Sequence, residues 1–190
     1  NKTEINPNIN ATVINSEVGQ ATAINPNLVA SSTKLVAGTL LAGKYEIVEP
    51  LSVSTGEADL YVCKYDGKEY VAKVYRRQRA VKPEVITVLK SISSPYVASL
   101  FDTGMHNNLP FEVLPYYKNG RLQGRQFSMD ELKKTIIPCI NEALRVLHQN
   151  DIIHKDLKPS NIMLLDDNKS VAIIDFGISS VVEQGNTVLV

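Results

Sequence analysis

The chain has 190 residues, with 20 Lys and Arg against 20 Asp and Glu, and 44% of it is hydrophobic. That neutral balance argues against a nucleic-acid binder working through overall charge. Two cysteines, Cys63 and Cys139, offer neither a disulfide framework nor a zinc spacing, and no apolar run approaches the roughly 18 residues of a membrane span, so a reducing, cytoplasmic setting is expected.

No signal peptide is visible, and Asn1 in place of Met suggests a cut N-terminus. The first stretch is rich in Asn, Thr, Ala and Ile and has no aromatic residue. It repeats a short pattern, "TEIN" at Thr3, "TVIN" at Thr12 and "TAIN" at Thr22. Isolated isoleucines among polar residues build no core, so residues 1–37 are expected to be a disordered tail or linker. Order is expected from "LLAGKYEIVEPL", where Tyr45 and Ile47 alternate with polar neighbours as in a strand. "DLYVCKY" and "KEYVAKVY" flank Asp66-Gly67, a strong hairpin signal. "KPEVITVLKSI" has helical spacing, with Val85, Val88, Leu89 and Ile92 on one side, and the cluster "RRQR" from Arg76 to Arg79 reads as a solvated loop face. "YVASLFDTG" and "LPFEVLPYY" read as two further strands.

The second half opens with "SMDELKKTIIPCINEALRVLHQN", a long amphipathic helix. Ser128 and Glu131 form a capping box, Leu132, Ile136, Ile140, Leu144 and Leu147 a buried stripe, and Pro138 predicts a kink or local break. Short strands follow in "DIIH", "IMLL" and "VAIIDFG".

The chemistry concentrates in "IIHKDLKPSN", residues 152–161. An aspartate, a lysine two residues on and an asparagine five residues on can converge in one loop. Asp156 can orient a hydroxyl or take its proton, Lys158 can neutralise a phosphate oxygen, and Asn161 is a neutral oxygen ligand for Mg²⁺. Asp175 ends an apolar run beside Phe176-Gly177, and Lys73 lies on the strand "YVAKVY". Phosphoryl transfer needs these parts.

In these motifs and their order the sequence resembles the protein kinases, specifically the bacterial Ser/Thr kinases of eukaryotic-like fold. The resemblance runs from about Gly38 to the chain end. It implies an α+β, protein kinase-like fold: a complete strand-rich N-lobe at 38–115 and part of a helical C-lobe at 116–190. It also implies ATP and Mg²⁺. Asp156, Lys158 and Lys73 would be catalytic, and Asn161 and Asp175 would hold the metal. Leu51, Ser54, Gly56, Leu60, Val71, Lys73, Glu84, Leu114, Pro115, Tyr117 and Met163 would form the nucleotide site, with Leu114 as gatekeeper and Glu84 as the helix carboxylate that pairs with Lys73.

Some residues depart from the family pattern. Ser52 and Ser54 stand where glycines are expected, so a looser phosphate cover is expected there. Counting back from "SPYV" places the helix carboxylate on Val85 rather than Glu84. Lys155 replaces an arginine, and lysine lacks the bidentate fork that grips a phosphorylated segment. The sequence stops thirteen residues past Gly177, so a fragment of a longer catalytic domain is expected, itself not competent. The threonines of the repeat would suit autophosphorylation and docking of a phosphothreonine-binding, forkhead-associated domain. The rival readings are a pseudokinase that binds nucleotide or acts as a scaffold, and a small-molecule kinase of related fold.

Overall fold

Asp66 (φ 49°) and Gly67 (φ 70°) both take left-handed conformations, the geometry a two-residue hairpin turn requires. They join β3 (Ala58–Tyr65) to β4 (Lys68–Tyr75), which pair antiparallel along their full length. The computed structural model describes residues 34–51, 56–78 and 81–182, all of them within the compact unit Ser32–Val190. The Asn/Thr-rich repeat and Ser54 lie outside the described residues.

Around the hairpin grows a six-stranded sheet. β1 (Leu40–Leu41) and β2 (Tyr45–Pro50) lie on one side of it, β6 (Leu109–Pro115) and β5 (Asp102–His106) on the other. A register shift between Ile47 and Glu49 bends β2. The sheet curls until its two ends meet. The Ala42 N–H donates to Nδ1 of His106 at 3.0 Å, and Lys44 Nζ reaches Asp102 at 3.0 Å. The Tyr45 hydroxyl donates to the same carboxylate. Inside the curl lie Leu41, Tyr45, Ile47, Tyr61, Cys63, Ala72, Val74, Phe111 and Val113. Leu35 already packs against this cluster, and its N–H donates to the Tyr61 hydroxyl at 3.2 Å.

Gly104 on β5 has no room for a side chain, because a Cβ there would lie 2.8 Å from the Phe111 ring. Gly104→Ala should therefore destabilise the domain by about 1–3 kcal/mol, read as a lowered thermal midpoint. A companion Phe111→Leu change should restore part of the loss. The Cys63 thiol is fully buried, and burial pushes it up to about 11. At pH 8 it should react with a thiol reagent at well under a hundredth of the rate of a free cysteine of pKa about 8.5. Denaturant should abolish that protection, and rapid labelling of the native protein would refute it.

α1 (Pro83–Ser91) presents Val85 and Leu89 to the interior. The stretch expected as a strand from Tyr96 becomes one only at Asp102. Residues 96–98 cross between the two halves and meet β9 (Val171–Ile173) through a single parallel bridge, Val97 with Ile173. Their backbone groups are satisfied there, with Ile173 N donating to Tyr96 O at 2.9 Å, rather than by the sheet.

The long helix comes in three parts. α2 (Met129–Glu131) starts at the expected capping box, where Ser128 Oγ accepts the Glu131 N–H at 3.2 Å and the Glu131 carboxylate accepts the Ser128 N–H at 2.8 Å. A π-helical turn, Leu132–Ile136, leads into α3 (Ile137–Gln149), with Pro138 in the first turn of α3. Proline has no N–H to give, and the widened turn absorbs that loss. Ile136 and Leu147 of the predicted stripe are buried, while Leu132, Ile140 and Leu144 are half-buried and Cys139 and Ala143 complete the inner face.

α1, α3, β7 (Ile152–Ile153) and β9 share one core, containing Val85, Leu89, Leu100, Ala143, Leu147 and Phe176. β8 (Ile162–Leu164) pairs with β9, and β10 (Ser180–Val181) with β7. Among the described residues no helix is long and apolar enough to cross a membrane.

Candidate active site

Strand alternation sends Val71, Lys73 and Tyr75 to the face opposite Ala72 and Val74. Ala72 and Val74 fill the curled sheet, whereas Val71 and Lys73 line a cleft of about 780 Å³ between the sheet and the second half. Leu51, Leu60 and Leu114 line it from above and Met163 and Ile174 from below, and β6 runs out at its edge through Pro115 into Tyr116 and Tyr117. Burial pushes the Tyr117 hydroxyl up to about 12. Asp156, Lys158, Asn161 and Asp175 close the polar end, and Gly56 lines the mouth.

The polar end is built by two loops tied together at His154, which is 3% exposed. Its Nδ1 accepts the Asp156 N–H at 3.2 Å, so the proton rests on Nε2, which donates to the Ile174 carbonyl at 2.9 Å. The His154 carbonyl accepts the Ser179 hydroxyl at 3.0 Å, and its ring meets Phe176 edge-on with centroids 5.1 Å apart. Lys155 (φ 66°) and Asp175 (φ 66°) are both left-handed, a conformation rare for residues with a Cβ and held here by their surroundings.

Asp156 accepts from Lys158 Nζ at 2.7 Å and from Asn161 Nδ2 at 2.9 Å. The Lys158 hydrogen bond is the main reason its carboxyl lies below the usual carboxylate range. Asn161 Nδ2 also donates to the Asp156 carbonyl at 2.9 Å. With both amide hydrogens engaged, its side-chain oxygen is the atom available to a cation. Lys73, 6% exposed, reaches Asp175 Oδ1 at 2.8 Å. Burial pushes the Asp175 carboxyl up, and the Lys73 charge and hydrogen bond more than offset that, leaving it below its ordinary value.

Among the described residues no three His, Cys, Asp or Glu cluster as a metal cage. Asn161 and Asp175 supply two hard oxygen donors. That set suits Mg²⁺, which is commonly held by one or two protein oxygens and completes its shell with water and phosphate.

All the expected site residues that the structure describes meet in this cleft except one. Glu84, expected to pair with Lys73, lies in the exposed first turn of α1 and is not part of the cleft wall. Val85, one residue on, takes the inward position and is fully buried. One residue is about 100° of helix, enough to turn Glu84 away. The sequence reading missed the binding role of His154 between the loops, although its place two residues before Asp156 was visible. It also missed Tyr116, between the expected Pro115 and Tyr117, and Arg121 and Gln123 in the lining, which carry no local signal.

A curled sheet over a helical half, with a lysine, two aspartates and an asparagine converging between them, defines the bilobal class to which the protein kinases belong. The family model for the protein kinase domain matches residues 53–190, and the chain belongs to that family. It is similar to the serine/threonine-protein kinase RIM15 of Saccharomyces cerevisiae, 30% identical over 169 residues, covering 82% of this chain and 10% of that protein. It is also similar to CBL-interacting protein kinase 11 of Oryza sativa, 29% identical, covering 76% of this chain and 31% of that one. Serine/threonine-protein kinase PKH2 of Saccharomyces cerevisiae is 32% identical, covering 76% and 13%. The chain thus spans a third or less of the length of these relatives.

Proposed function

We propose that the full-length protein transfers the γ-phosphate of ATP to a serine or threonine hydroxyl of a protein. The observation that carries this reading is the convergence of Lys73, Asp156, Asn161 and Asp175 in one cleft whose other end is apolar. Leu51, Leu60, Val71, Leu114 and Met163 form a slot for a flat base, with the backbone of Pro115 and Tyr117 at its edge. Lys73 holds the α- and β-phosphates. Asn161 and Asp175 hold Mg²⁺, which when bound neutralises charge on the phosphate oxygens. Asp156 orients the acceptor hydroxyl and takes its proton as the new oxygen–phosphorus bond forms and ADP leaves. Lys158, beside Asp156, neutralises charge on the transferred group.

The finer readings rest on sequence. A cytoplasmic setting is supported by the two unpaired, buried cysteines. A forkhead-associated partner that reads phosphothreonine is supported by the repeats at Thr3, Thr12 and Thr22. The competing reading, a nucleotide-binding scaffold without transfer, draws on the exposed Glu84.

Labelled MgATP with the full-length protein, beside an Asp156→Asn control and with modified residues mapped, separates the two. Transfer lost in the control supports the enzyme. MgATP bound without transfer supports the scaffold. Phosphate mapped to the three threonines supports the docking tail, and none there removes it.

A further inference from the structure

Glu112 is a buried acidic side chain that the phosphotransfer chemistry leaves unassigned. It is 5% exposed and lies in β6, an interior strand of the sheet. A carboxylate so placed needs a partner, because an ionised group removed from water is otherwise very costly. The register supplies one. Glu112 stands directly opposite Lys73, so the two side chains leave the same face of the sheet with Cβ atoms about 5 Å apart.

The surroundings hold Glu112 in place. Its Oε1 accepts the Tyr75 hydroxyl at 2.8 Å, and the Val81 backbone N–H donates to it as well. Lys73 Nζ lies 5.1 Å from the centroid of the same Tyr75 ring. Burial pushes the Glu112 carboxyl up, and the Lys73 charge and the Tyr75 hydroxyl offset only part of that, leaving it above its ordinary value.

The direct ion partner of Lys73 is Asp175, whose side chain is a third exposed and stands on a loop. It is also a metal-ligand candidate. When Asp175 turns to a cation, Lys73 keeps only what the sheet provides. α1 provides nothing, since Glu84 is exposed and Val85 takes the inward position.

We infer that Glu112 is the positioning residue that holds Lys73 in the cleft, in place of a carboxylate from α1. This rests on the phosphotransfer reading above. The pair is fixed by the hydrogen bonds between β4 and β6, so the lysine is set by the sheet and not by the placement of a helix.

The test uses full-length protein with Glu112→Gln, Glu112→Asp, Glu84→Ala, Lys73→Met and the Lys73→Met/Glu112→Gln double variant. Phosphate transfer and the affinity for a fluorescent ATP analogue with Mg²⁺ are both read. Glu112→Gln keeps the shape and removes the charge. It should lower kcat/KM for ATP and weaken analogue binding by about tenfold or more, and added to Lys73→Met it should cost little further. Glu84→Ala should leave both readouts unchanged. Glu112→Asp should recover part of the loss, which a merely structural role would not allow.

Unchanged analogue affinity in Glu112→Gln, or an equal loss in Glu84→Ala, would overturn the assignment. The Glu84→Ala comparison decides against it even where Glu112→Gln fails to fold. A wild-type protein that binds the analogue without transferring phosphate would refute the enzyme reading alone, and the affinities would still decide the role of Glu112.

Discussion

Asp156→Asn in the full-length protein lowers kcat for phosphate transfer by about 10²–10⁴-fold and leaves the KM for ATP close to its original value. The substitution is nearly isosteric, so the loop keeps its shape. What disappears is an anionic acceptor. The wild-type carboxylate takes hydrogen bonds from Lys158 and Asn161, both of which donate, so it is ionised and directed by them. An amide in its place cannot take a proton and meets the same donors with its own NH₂. The nucleotide end of the cleft is formed by other residues and is untouched.

The pH profile gives a second reading of the same group. Its pKa is depressed, chiefly by the Lys158 hydrogen bond, so the charged form persists as pH falls through the ordinary aspartate range of about 3.9. Loss of rate from protonating Asp156 therefore begins only below that range, and a decline between pH 5 and 7 must come from another group. A kcat unchanged by Asp156→Asn would remove Asp156 from the chemistry.

Phe176→Ala should have the largest effect on stability. The ring is 5% exposed in the core shared by α1, α3 and β9, and it meets His154 edge-on. Truncating such a side chain to alanine costs about 3–5 kcal/mol, against a total of about 5–15 kcal/mol for a typical domain. The thermal midpoint should fall by about 6–20 °C for a domain of this size. The function should suffer further than the melt alone implies. Asp175 holds a left-handed backbone immediately before Phe176, and the buried ring anchors that conformation. Mg²⁺-dependent nucleotide affinity should therefore drop even below the new midpoint. Phe176→Leu, which refills most of the volume, should recover most of both losses. A midpoint shifted by less than 2 °C in Phe176→Ala would show that the ring is not a core anchor.

The sequence alone determined what short-range physics controls. Asp66-Gly67 specifies its turn by the conformations those two residues tolerate. The Ser128–Glu131 box starts its helix through contacts three residues apart. Asp156, Lys158 and Asn161 announce themselves because all three lie within six residues. Pro138 declared a break for lack of an N–H, although the form of the break, a π-helical turn, depended on the packing of Ile136 and Cys139 on either side.

The tertiary structure decided what depends on distant pairing. Residues 96–98 have strand composition, yet their backbone partner is β9, more than 70 residues away in sequence, and no local pattern reveals that. Glu84 and Val85 differ by one residue, and only the packing of α1 chose which one faces inward. Glu112 interrupts the apolar run of "LPFEVLPYY", and its meaning appears only when β6 is set in register beside β4. Its partner lies 39 residues away, and charge pairing across strands has no signature in either strand by itself.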